Sequence, residues 1–234
     1  MGRYDKLKEQ VYLCNMEIPR KGLALYTWGN VSAYDPDNGA IAIKPSGVSY
    51  DELKPSDIVV LDIDGRIIEG TMNPSSDTAT HLVLYRNFPS VRGIVHTHST
   101  YATAWAQTCL PLTIYGTTHA DHLAADVPCT EVMADERIQG NYEEETGNQI
   151  VDAFKNMSYS DIEMVLVACH GPFTWGVTPE KAVYNAVVLE ELARMAFITH
   201  TIRPDTPALK KSLCDKHYFR KHGKDAYYGQ SSNK

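Results

Sequence analysis

The sequence predicts an α/β layered domain built on a largely antiparallel sheet. Short apolar runs of strand length recur between turn residues, a hairpin signal joins two of them, and capped amphipathic helices fall in between. The chain has 234 residues, 43% of them hydrophobic, which is enough to bury one sizeable core. No Ser/Gly/Pro-rich linker, low-complexity tract or repeat divides it, so one domain over residues 1–234 is expected.

The first element is an amphipathic helix. Tyr4, Leu7, Val11, Cys14 and Ile18 recur at helical spacing, and Pro19 and Gly22 stop it. Short β-like pieces follow at residues 30–34, 40–44, 57–62 and 66–69, the last two joined at Asp64-Gly65. Ser75-Ser76-Asp77 follows Pro74 and precedes Ala79, Leu82, Val83 and Arg86, which marks a helix N-terminus with its capping residues. A buried strand at 93–97 leads into a helix that opens at Ser99 or Thr100. Residues 164–168 read as another buried strand, and 173–176 continues past the turn His170-Gly171-Pro172. Thr178-Pro179-Glu180 starts a helix with proline at its first position. Ala182, Ala186, Leu189, Ala193 and Ala196 give that helix a small-residue face suited to close packing. A last helix runs from about 208 to 222 and is ended by Gly223.

Composition excludes several classes. The formal charge is -7, from 22 basic and 29 acidic residues, which argues against a general nucleic-acid binder. The basic run at 216–224 is interleaved with aromatics and reads as a solvated or interface helix face. Cys14, Cys109, Cys129, Cys169 and Cys214 make an odd count without a CxxC pair, so neither a disulfide scaffold nor a thiolate zinc finger is expected. A reducing, cytoplasmic setting fits that count. The N-terminus Met1-Gly2-Arg3-Tyr4-Asp5 lacks an apolar signal core, and the longest apolar run, 164–169, is too short to span a bilayer.

The candidate chemistry starts at Gly93-Ile94-Val95-His96-Thr97-His98-Ser99. Side chains alternate along a strand, so His96 and His98 point the same way at its end. They present two imidazoles to one metal ion, or they are two ordinary histidines at a strand edge. Zinc needs a third protein ligand, and a catalytic site keeps a further position open. His170, directly after strand 164–168, is the candidate third, and converges on the pair if the two strands are neighbours. Asp77 is the candidate carboxylate, although an acid in a first helical turn can simply complement the helix dipole. Ser75 and Ser76 beside it add hydroxyls to free backbone N–H groups, the makings of an anion site. Thr27-Trp28-Gly29-Asn30 and Lys44-Pro45-Ser46-Gly47 each combine glycine with hydrogen-bonding side chains. Each reads as a phosphate or sugar loop, or as a plain turn. No GxxxxGK[ST] loop occurs.

Taken together, these motifs resemble a known family. Thr27-Trp28-Gly29-Asn30-Val31-Ser32, Lys44-Pro45-Ser46-Gly47-Val48, Pro74-Ser75-Ser76-Asp77-Thr78, His96-Thr97-His98-Ser99 and His170-Gly171-Pro172-Phe173 fall in the order of the class II aldolase/epimerase superfamily. Gly116-Thr117-Thr118-His119-Ala120-Asp121 and the ending Lys216-His217-Tyr218 to Ala226-Tyr227-Tyr228-Gly229-Gln230 are similar to its ribulose-phosphate 4-epimerase branch. The likeness runs over nearly the whole chain. It implies a three-layer α/β/α sandwich and interconversion of L-ribulose 5-phosphate and D-xylulose 5-phosphate by retro-aldol cleavage between carbons 3 and 4. It implies one zinc ion per subunit, held by Asp77, His96, His98 and His170. Phosphate and sugar contacts are implied for Gly29, Asn30, Ser46, Gly47, Ser75 and Ser76, with Lys44 nearby. Asp121 and Tyr228 take the implied acid/base roles, against the plain readings of a helix cap and a packed tail residue. Thr117, Glu143 and His217 fall close to that site in the family. A cyclic homotetramer is implied, with sites at subunit interfaces and a tail of about 223–234 reaching a neighbour, in a cytoplasmic enzyme of carbohydrate, arabinose-type catabolism. Cys169, His122 and Asn141 depart from the family pattern at positions that bear on specificity.

Two other readings compete. A class II aldolase that releases its fragments has the same fold but tends to place Glu at the position of Asp77. A scaffold module like the adducin head loses the metal histidines, which this chain keeps.

Overall fold

The computed structural model describes residues 2–222 and 226–227. Helix α1 (Asp5–Arg20) leads into strands β1 (Asn30–Asp35), β2 (Ala40–Ile43), β3 (Val59–Asp62) and β4 (Ile67–Glu69). Helix α2 (Thr78–Asn87), strand β5 (Gly93–His96) and helix α3 (Thr100–Gln107) follow, then the short helices α4 (Thr117–Ala120) and α5 (Asp135–Ile138). Helix α6 (Tyr142–Ala153), strands β6 (Met164–Val167) and β7 (Gly171–Gly176), and helices α7 (Pro179–Ile202) and α8 (Lys211–His222) complete the described chain.

The strands form one seven-stranded sheet in the order β4-β3-β2-β1-β5-β7-β6, with every neighbouring pair antiparallel. The expected antiparallel sheet is therefore present. Alternation along the strands sorts the two faces. Val31 and Val95 pack with Cys14 and Ile18 of α1 and with Ala182, Val183 and Ala186 of α7. The small-residue face read from the sequence is what allows this close approach of α7. Gly93 marks the contact: a Cβ there would lie 2.2 Å from the Pro179 Cα.

The opposite face carries Asn30, Ser32, Ile94, His96, Phe173 and Trp175, which the register places side by side. Helices α2 and α6 cover it. His81 and Tyr85 of α2 both reach the Ser32 hydroxyl, each at 2.7 Å. Helices on both faces give the three layers.

Each strand differs from the sequence reading by one or two residues at one end, the most telling being β7, which begins at Gly171 rather than at 173. Helix α1 is not stopped by Pro19 but runs through it to Arg20. Ladder pairing of β5 ends at His96, one residue before expected. Helix α8 begins at Lys211 rather than near 208, and its expected terminator Gly223 lies outside the described residues. Helix α6 was not anticipated; its first turn carries Glu143, Glu144 and Glu145, which complement the helix dipole. No helix among the described residues is long and apolar enough to cross a membrane.

Candidate active site

Strand β5 is central, paired on both sides and buried along its whole length. At its last residue the ladder stops, and the chain leaves the sheet toward solvent. Thr97 still donates its amide to Pro172 at 3.5 Å, so the strand geometry is held just beyond the ladder. His96 and His98 consequently turn toward each other, with Nε2 atoms 3.2 Å apart.

His170 joins them. Its ring centroid lies 4.8 Å from that of His96 and 5.2 Å from that of His98. One nitrogen from each ring falls within 4.8 Å of the others. The route differs from the one the sequence suggested. Strand β6 is not a neighbour of β5, since β7 lies between them. His170 arrives because it occupies the turn that leads into β7, and β7 is the strand that pairs with β5.

The donor set suits a divalent cation. His96 Nδ1 donates to the Pro172 carbonyl at 3.0 Å, which leaves its Nε2 lone pair facing the cluster. Partial enclosure lowers the His98 pKa, and burial with His96 and His98 nearby pushes His170 down to about 4. The pair is thus neutral at pH 7, as metal ligands must be. The 3.2 Å separation matches the edge of a tetrahedron with zinc–nitrogen bonds of about 2.0 Å.

Asp77 stands beside this trio but outside the group of converging donor atoms. It is the N-cap of α2, yet its side chain makes no cap hydrogen bond. Asn30 Nδ2 instead donates to Asp77 Oδ2 at 2.6 Å and to Ser75 Oγ at 3.0 Å. Burial raises the Asp77 carboxyl, but His96, His81, the Asn30 bond and His170 outweigh it and hold the group below its usual value.

The trio forms one wall of a cleft of about 750 Å³, which Asp77, Gly29, Asn30, Ser46, Gly47, Ser75 and Ser76 also line. All three candidate loops therefore open on one space. Gly29 is required there: its φ is +90°, and a Cβ would meet the His96 carbonyl oxygen at 2.7 Å. Lys44 is almost fully buried in the same wall, where it donates to the Pro45 and Val48 carbonyls. Burial lowers its ammonium to about 8. Asn30 Oδ1 and Thr103 Oγ1 are buried without a hydrogen-bond partner among the described residues, although both side chains belong to the cleft wall.

Glu143 lines the cleft, as do Thr103, Gln107 and Tyr142, which the sequence reading passed over. Tyr142 reaches His170 Nδ1 with its hydroxyl at 3.3 Å. A signal for two of them was present: Ser99, Thr103 and Gln107 repeat every four residues, one face of a helix opening directly after the histidines.

Other expected residues lie elsewhere. Thr117 and His217 do not line the cleft, and neither does Asp121. Asp121 ends α4, where Arg220 Nη2 donates to both its oxygens at 2.8 and 2.9 Å, His217 Nδ1 lies at 2.9 Å and Lys221 Nζ at 3.4 Å. Some burial opposes ionisation, but these partners hold the carboxyl below its ordinary range. The basic run is thus partly spent on this acid rather than left as a solvated face. Tyr228 lies outside the described residues, as does most of the expected tail.

Residues 9–197 match the family described as Class II Aldolase and Adducin N-terminal domain. A protein of Salmonella paratyphi A named L-ribulose-5-phosphate 4-epimerase UlaF is 51% identical over 97% of this chain and 99% of its own length. The protein of the same name from Salmonella typhi matches equally well. Among solved structures, an L-fuculose 1-phosphate aldolase superposes with a TM-score of 0.78 at 26% identity, over 91% of this chain and 94% of that one.

Proposed function

The chain belongs to the class II aldolase and adducin N-terminal domain family, and we propose that it is an L-ribulose-5-phosphate 4-epimerase working by retro-aldol cleavage and re-addition. The observation that carries the reading is the cleft: a metal-competent trio at one wall and three glycine- and hydroxyl-bearing loops opening on the same space. The identity of the relatives named above supports the choice of reaction within the family. Asp77 favours it over fragment release, where Glu tends to stand.

The chemistry explains the residue set. The hydrogen on carbon 4 of a ketopentose phosphate is not adjacent to the carbonyl, so direct proton abstraction is unfavourable. Breaking the bond between carbons 3 and 4 circumvents this. A zinc ion held by His96, His98 and His170, with Asp77 beside them, would supply a Lewis acid for the ketone and its neighbouring hydroxyl. Gly29, Asn30, Ser46, Gly47, Ser75 and Ser76 bind the phosphate and sugar oxygens and keep the two-carbon aldehyde anchored while it turns over. The unpaired Asn30 Oδ1 and Thr103 Oγ1 are ready acceptors for substrate hydroxyls.

Proton transfer at the carbon 4 hydroxyl falls to Asp121 and Tyr228. The clamp of Arg220 and His217 keeps Asp121 ionised, the form that accepts a proton, and Tyr228 gives one on the other face. Asp121 lies away from its own chain's cleft, which supports a site completed by a neighbouring subunit in a cyclic homotetramer. We place the enzyme in the cytoplasm, in pentose catabolism of the arabinose type, with one domain spanning the chain.

The deciding experiment incubates metal-loaded protein with L-ribulose 5-phosphate. D-xylulose 5-phosphate is the expected product. Net accumulation of free two- and three-carbon fragments overturns the reading in favour of an aldolase. Replacing Tyr228 with Phe is expected to slow epimerisation by about a hundredfold or more while metal content, read by elemental analysis, stays unchanged.

A further inference from the structure

Among the described residues, the non-glycine positions with φ in the left-handed region are Tyr26, Cys109 and Cys169. The two cysteines touch: their sulfurs are 3.4 Å apart although 60 residues separate them in sequence. A single acceptor pins their main chains together. The amides of Cys109 and Cys169 both donate to the Ala106 carbonyl, at 3.0 and 3.1 Å. Cys109 lies just past the C-terminal end of α3, and Cys169 sits in the turn between β6 and β7. Cys169 is exposed and Cys109 half-buried, so a small oxidant reaches the pair from solvent.

A left-handed turn position favours glycine or asparagine on steric grounds, and cysteine gains nothing from it locally. The contact between the side chains is what distinguishes these two. Sulfurs in a disulfide are about 2.05 Å apart, so bond formation needs an approach of about 1.4 Å. Cys129 lies close enough to both to be the competing thiol, and burial pushes its pKa up to about 11.

We propose that Cys109 and Cys169 are a reversible modification site that closes to an intramolecular disulfide when exposed to a peroxide. One thiolate attacks the peroxide: a sulfur–oxygen bond forms, the oxygen–oxygen bond breaks, and hydroxide leaves. The second thiolate then attacks that sulfur, the sulfur–sulfur bond forms, and a second hydroxide leaves. Two thiols have lost two electrons and two protons, and the peroxide has become two waters. Cys169 directly precedes His170, so closure fastens the turn carrying a cleft histidine to α3, whose Thr103 and Gln107 line the same cleft. The proposal concerns the thiols alone and stands apart from the epimerase reading.

The test treats the native full-length protein with a small molar excess of hydrogen peroxide, blocks free thiols with iodoacetamide, and maps the unreduced digest by mass spectrometry. The expected result is a linked pair of peptides containing Cys109 and Cys169, lighter by two hydrogens and separated again by dithiothreitol. The link persists in Cys129→Ser and is absent from Cys109→Ser and Cys169→Ser. Peroxide treatment that leaves both cysteines alkylated, converts either to a sulfinic acid, or links either to Cys129 or to another chain overturns the proposal. The wild-type digest decides on its own if a variant fails to fold.

Discussion

At the scale of single residues, chemistry follows from where the chain puts neutral nitrogen and buried charge. The imidazoles of His98 and His170 titrate low because each is partly enclosed and has the His96 ring close by, so they are metal-ready at pH 7. His98→Ala removes one donor from the trio. It is expected to lower retained divalent metal severalfold and activity by about a hundredfold or more, measured by elemental analysis alongside turnover. Lys44 is the opposite case, a cation held in the cleft wall without enough water. Its folded pKa of about 8 lies below the ordinary 10.5, so the folded chain binds fewer protons than the unfolded one between those values. The cost of burying the charge is therefore fully present below pH 8 and disappears as pH rises toward 10.5. Lys44→Met removes this titration, so wild type is expected to gain stability relative to the variant as pH rises from about 8 to about 10, as urea unfolding at both pH values will read. These residues were legible as residue types in loops. That Asp77 turns from its helix to Asn30 was not, because the choice between cap and site depends on a strand 47 positions away.

At the scale of elements, the cleft depends on two helix starts. Helix α3 opens immediately after His98, yet its N-cap Ser99 makes no side-chain cap bond. The carboxylate of Glu190, from the middle of α7, does that work instead: its two oxygens accept from the amides of Tyr101 and Ala102, each at 2.9 Å. A distant acid thus fixes the helix that bears Thr103 and Gln107. Glu190→Ala is expected to cost about 1–2 kcal/mol in urea unfolding, and Glu190→Gln less, since an amide still accepts one bond. Helix α2 gains its position through His81 and Tyr85 on the Ser32 hydroxyl, directly beneath the site. The sequence marked the starts of α2, α3 and α7 through Ser, Thr and Pro, because capping is local. It did not mark α6, and it could not name Glu190 as a cap, because that bond spans 89 residues.

For the molecule as a whole, what counts is how much of the site one chain completes by itself. The trio, Asp77 and the glycine- and hydroxyl-bearing loops line one cleft within one chain, whereas Asp121 is held in the clamp of α8. If neighbours share sites, Asp121→Asn and His170→Ala proteins, each inactive alone, should recover activity when assembled together at equal amounts. About a quarter of the sites would then combine an intact trio with an intact Asp121. No recovery, in mixed assemblies verified by native mass spectrometry, would place Asp121 in its own chain's chemistry. By itself the sequence determined the antiparallel α/β class, the strand that ends in His96 and His98, and the loops rich in glycine and hydroxyls. Those features rest on period-two alternation, turn chemistry and caps, which act over a few residues. Only the tertiary structure decided that β7 stands between β5 and β6, that His170 enters from the turn before β7, and that Cys169 beside it meets Cys109. Strand order and side-chain contact across the sheet are set by packing between segments far apart in the chain, which no local pattern encodes.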